Sequence, residues 1–223
     1  MVNGEAAMPG RKASEEQRRE QILAATLKVA AKERLEGVTV RRVAAEARLS
    51  SGLVFFHFAS KDALLVALLD WLIEALVARV REVQLPEGAP RDRFLELVRQ
   101  RIAHLPEERD FVELFFDYWV MGTRHQEMRG KIREALQRYR DAFRPLAEEL
   151  LASAPERFPG VTAEGLAAVA VSFIQGCAMQ SVMDPGRFDV EQFMWTLEAL
   201  VARAESQGLP PPPPRKRIPA PRR

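Results

Sequence analysis

The sequence predicts an all-α protein: a three-helix N-terminal part followed by a larger helical body, about nine helices in all. Three observations predict it. Apolar residues recur at helical spacing through most of the chain, while the two-residue alternation of strands is absent. Ser, Thr and Asp stand just ahead of the apolar periods, where helix starts need a side-chain acceptor. Prolines gather in candidate loops and in the tail.

Each element follows from these signals. Ser14 with Gln17 has the spacing of a capping box and opens a helix to about Glu33, with Ile22, Ala25, Thr26, Val29 and Ala30 on one face. Thr39 caps a second helix carrying Val40, Val43, Ala44 and Ala47. Arg48-Leu49-Ser50 breaks the period, and Ser50 caps a third helix from Ser51 to about His57. Ser60 caps a long helix to about Gln84. Its Leu64, Leu65, Leu68, Leu72, Ile73, Leu76, Val80 and Val83 spread round more than one side, so it touches more than one core. A Pro/Gly turn at 85–90 leads to a helix at about 91–105. Pro106 suits the first turn of the next, which runs to about Met121, and Gly122-Thr123 punctuates it. A charged helix spans about 125–153, and a loop holds Pro155, Pro159 and Gly160. Thr162 caps an uncharged helix that ends at Asp184-Pro185-Gly186, and Asp189 caps the last, to about Ser206. Residues 1–13 and 207–223 are expected to be disordered, the latter because a Pro- and Arg-rich run cannot pack.

The composition excludes several classes. Charge is +2 overall but unevenly placed: net +4 over residues 1–61, −7 over 62–202 and +5 over 203–223. A basic head on an acidic body suits a head that meets a polyanion. A lone cysteine, Cys177, rules out an intrachain disulfide and a cysteine metal cluster, and it is read as inert packing in an apolar run. The N-terminus carries no apolar leader, so a reducing cytoplasmic location is expected. Gly165 to Met183 is uncharged, but Ser172, Gln175, Gly176, Gln180 and Ser181 interrupt it. A span needs about 20 mainly apolar residues. It is read as a buried helix, with no membrane partner. His57, His104 and His125 lie in different elements without metal-ligand spacing, and no nucleophile elbow or Gly-rich phosphate loop appears. No catalytic residue, metal or cofactor is expected.

The segment from Val38 to Leu65 has the layout of a helix-turn-helix, in which the first helix braces and the second lies in the major groove of duplex DNA. Ser50, Ser51, Gly52, Leu53 and Phe56 are the candidates nearest the groove. Gly52 lets backbone come close, and Leu53 suits a thymine methyl. Thr39, Arg41, Arg42, His57 and Lys61 are candidates for phosphate, whose contacts position without specifying sequence. Phe55 and Phe58 read as core.

Over about residues 14–70 the chain resembles the TetR family of repressors. The resemblance rests on Thr39, Val43, Ala44, Ser50, Gly52, the run Phe55-Phe56-His57-Phe58, Lys61 and Leu64-Leu65, with Arg19, Ile22, Ala25 and Gly37 upstream. Two residues depart from it. Arg48 stands where the family has Gly, which implies a differently shaped turn or a phosphate contact. Phe55 replaces a Tyr, which removes a hydroxyl. The C-terminal segment from Ile174 to Phe193 resembles the choline- and multidrug-sensing members of the family.

That resemblance implies a small-molecule site in the body and a dimer made by the last helix pair. The candidates for a largely apolar effector are Phe111, Phe115, Tyr118 and Trp119 on one broad helical face, with Trp71, Met128 and Phe173 completing the walls. The dimer candidates are Val169, Phe173, Cys177, Phe193 and Leu197, since the uncharged helix has more apolar surface than one neighbour can cover. The implied function is a homodimeric repressor released from a palindromic operator by a small effector. Two alternatives stay open: a ligand-independent architectural DNA binder and a helical small-molecule carrier.

Overall fold

The structure, a computed structural model, describes residues 14–207, and among these every regular element is helical. Nine α-helices follow in order: α1 Glu15–Gly37, α2 Val40–Ala47, α3 Ser51–His57, α4 Lys61–Glu82, α5 Pro90–Ala103, α6 Arg109–Arg124, α7 Gln126–Ser153, α8 Ala163–Met183 and α9 Val190–Gln207. A single 3₁₀ turn, Pro155–Arg157, sits between α7 and α8. The expectations for residues 1–13 and for the tail beyond α9 lie outside the described residues.

Local chemistry sets the helix starts. The Ser14 side chain accepts from the Gln17 amide while the Gln17 side chain accepts from the Ser14 amide, a complete capping box. Thr39, Ser50, Ser60 and Thr162 each accept from an amide three residues on, and the Asp189 carboxylate accepts from Gln192.

The ends differ more from expectation. α1 runs on past Glu33 to Gly37, across a kink at Arg34, where φ is 62°. Pro106 lies ahead of α6 and not in its first turn; the chain turns over 104–108 and the helix begins at Arg109. Gly122-Thr123 does not interrupt α6. Gly122 is buried against α7, where a Cβ would come within 2.5 Å of Ile132 Cδ1. Arg129 donates to the carbonyls of Gly122 and Thr123 and so closes the end of α6. The glycine marks a close helix crossing that a local reading takes for punctuation.

The chain divides into two compact units between Trp71 and Leu72, inside α4. In the first, Ile22, Val29, Leu35, Val43, Val54, Phe58 and Leu64 form the core. In the second, α7 packs on α5, α6 and α8, and α9 packs on α5. Tyr118, Phe143, Ile73, Ile102, Leu97 and Leu114 are among its fully buried large side chains.

Within this protomer α8 is buried on one side only. The helix is long and apolar enough to cross a membrane by length and composition, yet only a third of its apolar window is buried. Ala167, Ala170, Val171, Ile174, Cys177 and Ala178 face inward, while Val169, Met179 and Met183 are exposed. The outer stripe exceeds what one protomer covers.

Candidate DNA-reading surface and effector cavity

In the first unit, α2 and α3 are joined by the turn 48–50. Arg48 adopts the left-handed conformation, φ 56° and ψ 44°, and its amide donates to the Ala44 and Ala45 carbonyls. The arginine therefore takes the left-handed backbone shape that glycine adopts readily. Two side chains of α1 secure the pair. Gln21 Nε2 donates to the Ala47 carbonyl at the end of α2, at 2.8 Å. Arg19 donates to the His57 carbonyl at the end of α3, at 2.8 Å, and its guanidinium lies 4.5 Å over the Phe58 ring. Both satisfy carbonyls that a helix end leaves open. Of these two, Gln21 gives no signal in the sequence, because its partner is 26 residues away.

α3 has seven residues, and Val54 is its buried anchor. Phe58, just past its end, is buried too, as expected. Phe55 is not core, as the sequence suggested, but 52% exposed, and Phe56 is 78% exposed with its ring edge-on to His57. Ser50 and Gly52 are exposed, and Ser51, Leu53 and His57 half-buried. His57 Nδ1 is buried without a partner. Thr39, Arg41 and Arg42 are exposed near the start of α2. Arg42 is engaged by Glu33 and donates to the Gly37 carbonyl, and Lys61 Nζ donates to the Glu36 carbonyl at 3.0 Å. Arg41 thus has the plainest access to an outside anion among the three. Large aromatic side chains left in water on a short capped helix are an unusual cost for a stable fold.

In the second unit a cavity of about 410 Å³ is lined by apolar side chains from four helices, α4, α6, α7 and α8, and by Arg101 of α5. Phe111, Phe115 and Trp119 line it as expected, joined by Phe116, Leu136 and Tyr139. Phe115 and Trp119 meet edge to face, centroids 6.4 Å apart. The other candidates fall elsewhere. Tyr118 is fully buried in the core behind this wall, since it lies one residue from Trp119 and so on the next face round. Met128 and Phe173 are outside the lining, and Trp71 belongs to the other unit. The cavity falls within the roughly 300–1,000 Å³ of small-molecule sites.

Its polar end went unseen in the sequence. Arg101, 3% exposed, donates through Nη2 to both oxygens of Glu108 at 3.0 and 2.9 Å. Arg79 reaches the same carboxylate at 2.5 Å. Burial works against the charge of Arg101, and neighbouring Tyr139 and Glu108 more than offset it, so the group is held above its usual range. Burial likewise pushes the Tyr139 phenol up, with Arg101 opposing, so it stays a neutral hydroxyl. Cys177 is buried and its thiol is pushed up to about 11 by burial. It faces its own subunit's core, which agrees with inert packing and not with a place on the outer stripe of α8. Phe173, Phe193 and Leu197 are half-buried and Val169 exposed, while Met179, Met183, Trp195 and Leu200 are exposed apolar residues that were not anticipated.

A capped helix-turn-helix with an aromatic outer face, carried with an all-helical body that encloses an apolar cavity, defines a DNA-binding transcriptional regulator. The pattern of bacterial regulatory proteins of the tetR family matches residues 22–68, and that of the BetI-type transcriptional repressor C-terminal part matches residues 90–204. The chain belongs to the TetR family, and its body is of the BetI type. An HTH-type transcriptional regulator from the dhlA 5' region of Xanthobacter autotrophicus is 29% identical over 76% of this chain and 82% of its own length. A transcriptional regulator of Pseudomonas aeruginosa shares the fold with a TM-score of 0.70, at 20% identity over 88% of this chain and 94% of its own. A regulator of Saccharomonospora viridis, solved in complex with choline, does so with a TM-score of 0.65, at 18% identity over 84% and 96%.

Proposed function

We propose that the protein is a cytoplasmic homodimeric repressor that reads a palindromic operator with two copies of α3 and releases it when a small, largely apolar effector fills the body cavity. The observation that carries the reading is the outward face of α3, where Phe56 stands 78% exposed beside Gly52 and Leu53. Residues 14–60 would read DNA and 61–206 would bind effector and partner. Ser50, Ser51, Gly52, Leu53 and Phe56 would face the groove, with Thr39, Arg41, Arg42, His57 and Lys61 along the phosphates. Genomic fragments selected by the protein, then titrated by fluorescence anisotropy, test this. Phe56→Ala is expected to weaken operator binding by about 1–3 kcal/mol, the range of one base contact, and to leave the melting temperature in place. Equal loss on random DNA would make Phe56 a non-specific contact.

The exposed stripe of α8 supports dimerisation. Val169, Met179 and Met183 lie on one side of the helix with Gly176 between them, and a Cβ on Gly176 would meet nothing within 4 Å. Trp195, 64% exposed, and Leu200 add apolar surface on α9. Two such helices from each copy would form a four-helix interface. Trp195→Asp should convert a dimer in sedimentation velocity into a monomer of unchanged helicity. A dimer that persists at micromolar concentration would move the interface off α9.

Release is then a shift of population. α4 carries Arg79 near its end and begins at Lys61 beside α3. A ligand that fits better with α4 displaced lowers the share of dimers whose reading helices match the operator.

A further inference from the structure

The reading of the apolar cavity as the effector site leaves the effector's chemistry open, and the polar wall of that cavity narrows it. Arg101, Glu108 and Tyr139 line the cavity together with the aromatic residues. Arg101 and Glu108 also line a second, polar hollow with Arg79, Glu82, Gln100, His104 and Glu107, so the ion pair is the partition between the two. The hydrogen-bond capacity of this partition is unevenly used. The Glu108 carboxylate already accepts from two guanidinium groups. Arg101 has no acceptor for its Nε, which is buried. Tyr139 adds a neutral hydroxyl beside it. The wall therefore carries more positive than negative charge. Two cations face one carboxylate, and Glu82 and Glu107 are exposed to water on the far side of the partition, where screening weakens them.

We propose that the effector is an apolar acid: an aromatic or aliphatic body in the Phe111, Phe115 and Trp119 chamber, with one carboxylate on the Arg101 guanidinium and the Tyr139 hydroxyl. A charge-assisted pair of this kind is roughly twice as strong as a neutral hydrogen bond, and more so at a largely apolar wall. A cation would find its only carboxylate occupied and a guanidinium in the way. The acid also competes with Glu108 for Arg101, and so loosens the carboxylate that holds Arg79 of α4.

Titration calorimetry on the full chain with 4-phenylbutanoate, 4-phenylbutanamide and 4-phenylbutylammonium tests the proposal, since the three share one body. The acid should bind roughly 10- to 150-fold more tightly than the amide. In the double variant Arg101→Met with Glu108→Gln, which leaves no buried charge unpaired, that ratio should fall to about one with the helical spectrum unchanged. Tyr139→Phe should cost the acid a few-fold and leave the amide alone. Tightest binding by the ammonium, or equal binding by all three, would overturn the acid while sparing the cavity, provided that Phe115→Trp blocks every probe. Binding that Phe115→Trp does not touch, or binding by none of the three, would overturn the cavity as the effector site, and the acid with it.

Discussion

Glu108→Ala is expected to lower the unfolding free energy by about 3–5 kcal/mol, the cost of leaving a buried charge without its partner. The Glu108 side chain is 8% exposed and holds two guanidinium groups, one of them at the end of a side chain that is itself buried. Removing it leaves the buried Arg101 without a counter-charge, beside an Arg79 that is half exposed to water. Domains of this kind have roughly 5–15 kcal/mol in hand, so the variant would unfold at far lower urea concentration. Glu108→Gln keeps an acceptor and should lose less. A loss under about 1 kcal/mol for alanine would mean that water enters from the polar hollow and solvates Arg101.

Tyr118→Ala should cost a similar amount, about 3–5 kcal/mol, the range for a large ring deleted from a packed core. Tyr118 is fully buried and does not line the cavity. The loss should therefore appear equally with and without ligand. Trp119→Ala, one residue along, should barely change stability, because its ring is half in solvent and half on the cavity. Chemical denaturation of both variants, with and without 4-phenylbutanoate, separates the two roles. If Tyr118→Ala spared stability and abolished ligand binding, the division between core and cavity wall would be reversed.

That division also shows where the sequence runs out. Capping is local, so the acceptors at Ser14, Thr39, Ser50, Ser60, Thr162 and Asp189 could each be read from residues within one turn, and with them the order of the helices. The position of the reading helix followed from the same signals. The face that a residue presents to a particular neighbour is not local. Tyr118 and Trp119 lie side by side in one broad apolar face, and only the packing of α6 on α7 and α8 decides which of them is core. Arg101 and Glu108 look like solvated charges in sequence. The turn at 104–108 brings them together, and Arg79, 29 residues ahead of Glu108, completes the group. For Cys177 the reason is that a nearly uncharged helix has no polar stripe to say which side is out. Arg48 failed differently, since a non-glycine residue at positive φ leaves no signature of its own.

The short helix α3 is held by its anchor Val54, by Phe58 just beyond it, and by the hook of Arg19 on its last carbonyl. None of these points outward. Gly52, Phe55 and Phe56, which do, contribute little to keeping the helix in place. If α3 reads the operator as proposed, target preference and foldability would be written in different letters of the same seven-residue word. A duplicated copy of this chain could drift to a new operator through the outward letters alone, without first passing through an unstable intermediate.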